Sequence, residues 1–428
     1  MNNSFIDNNQ ITNEFVEAYT KSNYRIIGNG KHSAIKPCHW LEQKLLTGRA
    51  NRNCYKGVFG IESHRCLQNT PSLPFCNHQC VFCWRDIENG SLGSEFLVEP
   101  DDPRDLVEEM IRHQRNIIEN HLPLRRYLDN YEVMLDILCY MLKNEGSQNL
   151  DTLSHHIHIS KTKIQRALNL LRNQDYIMAT TDSMEAYELE KEIRSSLDSR
   201  EELELLINRD LTTPNDIMQA HSEALFPNHA AISLDGEPLL YPKISGLVNE
   251  FKKRHFTTFI VTNGTCPERL EALEALPSQL YITLSAPNEQ IYKKVSRPMI
   301  KNGWDNIHAS LDLVESLSTR TLIRLTAINN LNLKEDLIDD YIRIVEKANP
   351  DFFEIKGFTL QAKALLINKR LKNQKPLQNY FPSYEFLEEI ATQFARKSGF
   401  KLIYTNKVSR DFLFSVNWGS KDPIIKHP

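Results

Sequence analysis

The sequence lacks the marks of a membrane-spanning or secreted protein. Its longest apolar stretches, such as 131–142, are broken by charges like Asp136 and fall well short of the roughly 20 residues that a bilayer span requires. The start, MNNSFIDNNQITNEF, is polar and Asn-rich, without the basic head and apolar run of a secretory signal. A cytoplasmic protein with no membrane partner is expected. An excess of one charge is missing too: a formal net charge of −4 over 428 residues exerts no overall pull on nucleic acid, so any RNA contact must use a local basic patch. Internal repeats and low-complexity tracts are absent. With 41% hydrophobic and 25% charged residues, the composition is that of an ordinary globular protein.

Cysteine is present but unevenly placed. Cys38, Cys54, Cys66, Cys76, Cys80 and Cys83 crowd into one segment, whereas Cys139 and Cys266 stand alone. Without a secretion signal, such clusters bind metal more often than they form disulfides. Cys76, Cys80 and Cys83 form CNHQCVFC, a CxxxCxxC spacing. Three thiolates in one loop can hold three irons of a 4Fe–4S cluster, full protein ligation taking four. The open iron can chelate the amino and carboxylate groups of S-adenosyl-L-methionine (SAM) and pass one electron to its sulfonium, releasing a 5′-deoxyadenosyl radical. The competing reading is a zinc knuckle with His78 or His64 as fourth ligand, but zinc sites usually draw on two CxxC-like halves. Cys38, Cys54 and Cys66 sit among His39, Lys56, His64 and Arg65. Such surroundings suit thiolate ligands better than a plain apolar lobe. A second three-cysteine cluster is therefore expected.

Periodicity divides the chain into a tail (1–23, with at most one short helix), a cluster-binding part (24–121), an insertion (122–209) and a remainder (210–428). A helix is expected over 102–121, with Pro103 in its first turn. The insertion reads as helices over 131–143, 150–157 and 161–173, followed by an extended stretch at 176–180, a winged-helix-like order. Beyond Ala220, short apolar runs at 231–234, 259–262, 280–284, 322–327, 352–355 and 401–404 alternate with helical stretches. They predict parallel strands of an α/β barrel or open sheet. Several run into polar groups, Asp235-Gly236-Glu237 and Asn263-Gly264 among them, and parallel barrels do their chemistry at such strand ends.

At Gly236-Glu237-Pro238 a carboxylate could accept from the SAM amino group, the plainer reading being a strand-ending turn. Lys56 and Lys356 could each form a Schiff base with a carbonyl substrate or bind a carboxylate, although a nearby anionic cluster favours the charged amine. In the insertion, Lys161, Lys163, Arg166 and Arg172 face either RNA or solvent. Arg85, Lys293, Lys294 and Arg297 are further candidates for phosphate contacts. The residues leave open a radical SAM enzyme with another substrate, and an iron–sulfur-sensing regulator suggested by the winged segment.

The runs YRIIGNGKHSAIKPCHW, CYKGVFGIESHRCLQNTPSLPFCNHQCVFCWR, HAAISLDGEPLLYP, TFIVTNGT, QLYITLSAPNEQIYKKVSRPMIKNGW and FFEIKGF together resemble the tRNA wyosine-synthesising radical SAM enzymes, the 4-demethylwyosine synthases. Order and spacing agree over residues 24–121 and 215–415. The resemblance implies an incomplete parallel (β/α)6 radical SAM barrel with two 4Fe–4S clusters, the first on Cys76, Cys80 and Cys83, the second on Cys38, Cys54 and Cys66. It implies SAM contacts at Gly236, Glu237, Pro238 and Asn263, and Lys56 as the pyruvate partner. It also implies a carbon–carbon lyase-class reaction joining two carbons of pyruvate to N1-methylguanosine-37 of tRNA-Phe. Asn69 and Phe75 stand where the family pattern has Met and Trp. The flavodoxin-like domain of eukaryotic members is missing, so a separate electron donor of flavodoxin or ferredoxin type is expected, acting on a monomer. The insertion over 122–209 is not explained by the resemblance.

Overall fold

The computed structural model describes residues 6–7, 10–47, 54–88, 90–120, 123–173, 176–180, 186–191, 194, 199, 201–202, 214–360, 362–416 and 422–425. Two compact units divide the chain. One comprises Met1–Cys38, Cys54–Asn116 and Phe226–Pro428, the other His39–Asn53 and Ile117–Leu225. Among the described residues, no helix is long and apolar enough to cross a membrane.

The first unit is built on a ten-stranded sheet, in the order Lys401–Asn406, Asp411–Ser415, Phe352–Gly357, Arg320–Ala327, Gln279–Thr283, Thr257–Thr262, His229–Ile232, Cys66–Thr70, Ser33–Ile35, Arg25–Ile27. The six strands from Phe352–Gly357 to Cys66–Thr70 run parallel. Their residues are almost all buried, as parallel strands covered on both faces must be. The covering helices bury single stripes. Ile338–Ala348, for example, buries Ile338, Tyr341, Ile342, Val345 and Ala348, the spacing of one helical face.

Two sequence expectations change here. The stretch at 401–404 is not a further parallel strand: Lys401–Asn406 and Asp411–Ser415 pair antiparallel, and the latter pairs antiparallel with Phe352–Gly357. The turn between the two is far too short for the dozen or more residues of a parallel crossover. The one short helix allowed for in the tail is present as Asn13–Lys21, but it is not loose: it buries Phe15 and Tyr19 in a cluster with Tyr24, Leu73, Phe75 and Leu234. The strand Cys66–Thr70 also escaped the sequence reading, since CLQNT carries no apolar run.

The register sets which side chains share a face. Cys66 lies beside His229 and Thr257, Tyr281 beside Leu322, Arg324 beside Glu354, and Lys356 beside Asp411. Because alternate residues of a strand share a face, all of these belong to one side of the sheet. On that side Phe59, Ile61, Phe259, Tyr281, Leu322, Phe352 and Leu413 form a buried cluster.

In the second unit the helices Pro123–Lys143, Leu150–Ile157 and Lys161–Asn173 enclose a core of Ile137, Leu138, Met141, Leu153, Ile164, Leu168 and Leu171. A three-stranded antiparallel sheet of Gln148–Asn149, Ala186–Leu189 and Ile177–Ala179 accompanies them. Asn149 caps the middle helix by accepting from Thr152 N–H at 2.8 Å, and His158 ends it at φ +58.

Candidate active site

The loop of Cys76, Cys80 and Cys83 has little secondary structure of its own and is held by its surroundings. Cys76 N–H donates to Gly93 O (3.0 Å), Val81 N–H to Val295 O (2.8 Å), and Asn77 O accepts from Met299 N–H (2.9 Å). The buried Arg370 acts as a clamp: Nη1 donates to Cys83 O at 2.5 Å, Nη2 to Arg85 O at 3.1 Å, and Nε to Glu88 Oε1 at 2.8 Å. This gathers the three thiols. Burial, with the charge Cys83 and Cys76 would carry, pushes Cys80 well above its ordinary value. Burial pushes Cys76 up to about 12, opposed by the neighbouring Arg85. His78 Nε2 shares a 2.7 Å hydrogen bond with Tyr292 Oη.

The Gly236-Glu237-Pro238 turn lies against this loop. Gly236 has φ +73, and a Cβ there would stand 2.0 Å from Ser72 O and 2.8 Å from Phe75 O. Only glycine allows the strand end to approach the loop's backbone so closely. Glu237 N–H donates to Phe75 O (2.8 Å). Its buried carboxylate, however, is turned into the protein. Oε1 accepts from Thr262 Oγ1 (2.6 Å) and Leu239 N–H (3.1 Å), and Oε2 from Asn263 N–H (2.8 Å). Burial raises it to about 7 against these three donors. The carboxylate thus braces the end of the next strand. Asn263 in turn donates through Nδ2 to Asn77 Oδ1 at 2.7 Å, tying that strand end to the residue after Cys76.

Cys38, Cys54 and Cys66 form a second group. Burial pushes the Cys66 thiol up to about 12, with Lys56 lowering it and Cys38 and Cys54 raising it. Cys54 is the residue before the 3-10 helix Tyr55–Phe59, and its N–H donates to Ser63 Oγ at 2.9 Å. Lys56, in that helix, is 4% exposed. Burial lowers the affinity of its amine for a proton, but Tyr55, Cys66 and Cys54 more than offset this and hold the ammonium above its usual value. Its Nζ lies 5.1 Å from the Tyr55 ring centre and 5.4 Å from that of Phe259. The two lysines singled out from the sequence are thereby separated: Lys356 is engaged by Asp411 Oδ1 at 2.7 Å and Ser409 O at 3.2 Å, while Lys56 faces the thiols.

Sequence reasoning missed the charged residues of this interior. Arg324 and Glu354 are buried and paired at 2.5 Å, and the Arg324 guanidinium lies 4.1 Å from the Tyr55 ring centre and 4.6 Å from that of Tyr281. A signal existed: TLIRLTA places one charge and FFEIK two in strands otherwise fit for full burial, where charges occur only when paired.

Both thiol groups fit an iron–sulfur cluster. None of the eight cysteines is in a disulfide. Three thiols, half-buried in the first group and mostly buried in the second, whose ionised forms repel one another, gain most from a cationic metal centre that reverses the sign of that interaction. No fourth protein ligand is needed for a cluster that keeps one open iron.

The Radical SAM superfamily matches over residues 198–344. A SAM-dependent tRNA 4-demethylwyosine synthase of Pyrococcus horikoshii is 34% identical over 388 residues, 90% of this chain and 83% of that protein. The human enzyme of that name is 27% identical over 82% of this chain and 34% of its own length. A solved structure of TYW1 with a lysine–pyruvate adduct bound superposes with a TM-score of 0.62 at 25% identity, covering 97% of this chain and 99% of that one.

Proposed function

Since the chain belongs to the family of SAM-dependent tRNA 4-demethylwyosine synthases, radical SAM enzymes of tRNA wyosine biosynthesis with an α/β fold, we propose that it condenses N1-methylguanosine-37 of tRNA-Phe with two carbons of pyruvate. The observation that carries the reading is the sorting of six thiols into two groups with Lys56 beside the second. Cys76, Cys80 and Cys83 hold the SAM-binding 4Fe–4S cluster, and Cys38, Cys54 and Cys66 a second one. When bound, the first cluster and SAM supply a 5′-deoxyadenosyl radical, which takes hydrogen from the methyl group of the base.

The chain's own residues supply position and enclosure. The main chain of Gly236, Glu237 and Pro238 lines the SAM site, and the Glu237 carboxylate holds Thr262 and Asn263 in place beside it. Lys56 receives pyruvate, either by attracting its carboxylate as the ammonium or, once deprotonated, by adding to its ketone with loss of water. The lysine–pyruvate adduct in the TYW1 structure supports this role. The apolar wall of Phe59, Phe259 and Tyr281 excludes water, which radical chemistry requires. Presenting the base means splaying it out of the anticodon loop.

The six parallel strands are read as an incomplete (β/α)6 barrel. The order helix, strand, helix, helix, two further strands supports reading 122–209 as a winged-helix-like insertion that grips tRNA through Lys163 and Arg166, both exposed. Electrons come from a separate flavodoxin- or ferredoxin-type donor.

The test is anaerobic reconstitution with iron and sulfide, then mass analysis of N1-methylguanosine-containing tRNA incubated with SAM, pyruvate and dithionite as the source of electrons. The tricyclic base is expected only when all three are present. SAM cleavage without pyruvate consumption would leave a radical SAM enzyme acting on another substrate.

A further inference from the structure

The centre of the strand Arg320–Ala327 carries a cation that the scheme above leaves unused. Arg324 is 7% exposed, and only part of its guanidinium is engaged. Nε donates to Glu354 Oε2 at 2.5 Å, whereas Nη2 is buried without a hydrogen-bond partner among the described residues. The Tyr281 hydroxyl, on the residue whose ring centre lies 4.6 Å from that guanidinium, is likewise buried without one among the described residues. Unmet buried donors are costly, by about 1–3 kcal/mol each and more for charged groups. Native interiors rarely keep two in one place without a ligand or water to meet them.

The surroundings specify that ligand. Arg324 and Lys56 lie 4.1 Å and 5.1 Å from the centre of the same Tyr55 ring. The negative charges facing Arg324 are already balanced: Glu354 pairs with Arg324 itself, and Asp411 with Lys356 at 2.7 Å. Lys56 thus adds a second positive charge at the ring that the open guanidinium edge lies over, among Tyr55, Tyr281 and Phe259. A small anion with a planar, two-oxygen head fits such an edge, because the guanidinium presents its N–H groups as a fork matched to a carboxylate.

We propose that Arg324 is a substrate-binding residue that takes the carboxylate of the 2-oxo acid through Nη2, assisted by the Tyr281 hydroxyl, and so aims the ketone at Lys56. This rests on the assignment of Lys56 to pyruvate. It adds a basis for selectivity: a carbonyl compound without an adjacent carboxylate forfeits the Arg324 contact.

Equilibrium dialysis of the reconstituted full chain against pyruvate and against methyl pyruvate, its uncharged ester, tests the assignment. Two variants are compared with the parent: Arg324→Lys, and the double variant Arg324→Gln with Glu354→Gln, which removes the pair together and leaves no lone buried carboxylate. For a charge-assisted hydrogen bond the expected effect is a pyruvate Kd raised about ten- to a hundredfold, with the ester's Kd within about threefold of the parent's. Equal weakening of both ligands, or unchanged pyruvate binding in either folded variant, overturns the proposal. A Lys56→Ala chain is dialysed in parallel. If its pyruvate binding is unchanged the Lys56 assignment fails, while the pyruvate-to-ester ratio of the Arg324 variants still decides this one.

Discussion

Gly236 offers the sharpest test of how the strand end and the cysteine loop depend on each other. Alanine there meets two separate penalties. At φ +73 a residue with a Cβ is strained, by about 1–2 kcal/mol. The added carbon would also stand 2.0 Å from Ser72 O, so the segment just before Cys76 must retreat by about 1 Å, a shift that overpacking data put at about 1–3 kcal/mol. Gly399, at the end of the helix Tyr384–Ser398, has the same φ of +73, but a Cβ there meets nothing within 4 Å. Alanine at Gly399 should thus cost about 1–2 kcal/mol and alanine at Gly236 about 2–5 kcal/mol. Urea unfolding of the two variants measures the difference, and iron content after reconstitution reports whether the Cys76 loop still accepts its cluster. Gly236→Ala should lose iron and Gly399→Ala should keep it. Equal stability and equal iron in both would refute the reasoning that Gly236 is required by its approach to the loop.

Further outcomes are expected. Cys54→Ser should lower iron from about eight to about four per chain while SAM still binds; an unchanged count would remove the second cluster. Lys56→Ala should abolish borohydride trapping of pyruvate on the chain, read by mass, whereas Lys356→Ala, which removes a partner of Asp411, should leave the adduct in place. Charge reversal at Lys163 and Arg166 should weaken tRNA binding and flatten its salt dependence; unchanged affinity would remove the insertion from tRNA binding. Asp101 contacts the buried His32 at 3.1 Å, and hydrogen bonds from His32 and the Gly30 and Asn29 amides outweigh its burial and hold its carboxyl below the ordinary value. A depressed carboxyl stabilises the fold above its unfolded pKa and loses that contribution as pH falls through its folded value. Asp101→Asn should therefore be less stable than the parent at neutral pH and converge with it under acid, as thermal melting across pH 2–7 would show.

Residue type and short-range spacing determined much of this protein. CxxxCxxC is complete within one loop, and the helices Leu150–Ile157 and Lys161–Asn173 follow from apolar periodicity, a local property that needs no knowledge of distant chain. Tertiary structure decided what depends on partners far apart in sequence. Lys401–Asn406 pairs antiparallel with Asp411–Ser415 because a short turn brings the latter back along it. The Glu237 carboxylate braces Thr262 and Asn263, and Lys356 is held by Asp411 while Lys56 faces the thiols. Arg324 acquires its surroundings only when its strand is set in register beside Glu354 and the Tyr55–Phe59 segment folds over that face. Burial and charge pairing are properties of assembled neighbours, so a one-dimensional pattern can name the chemical groups of a site without saying which of them remain available for its chemistry.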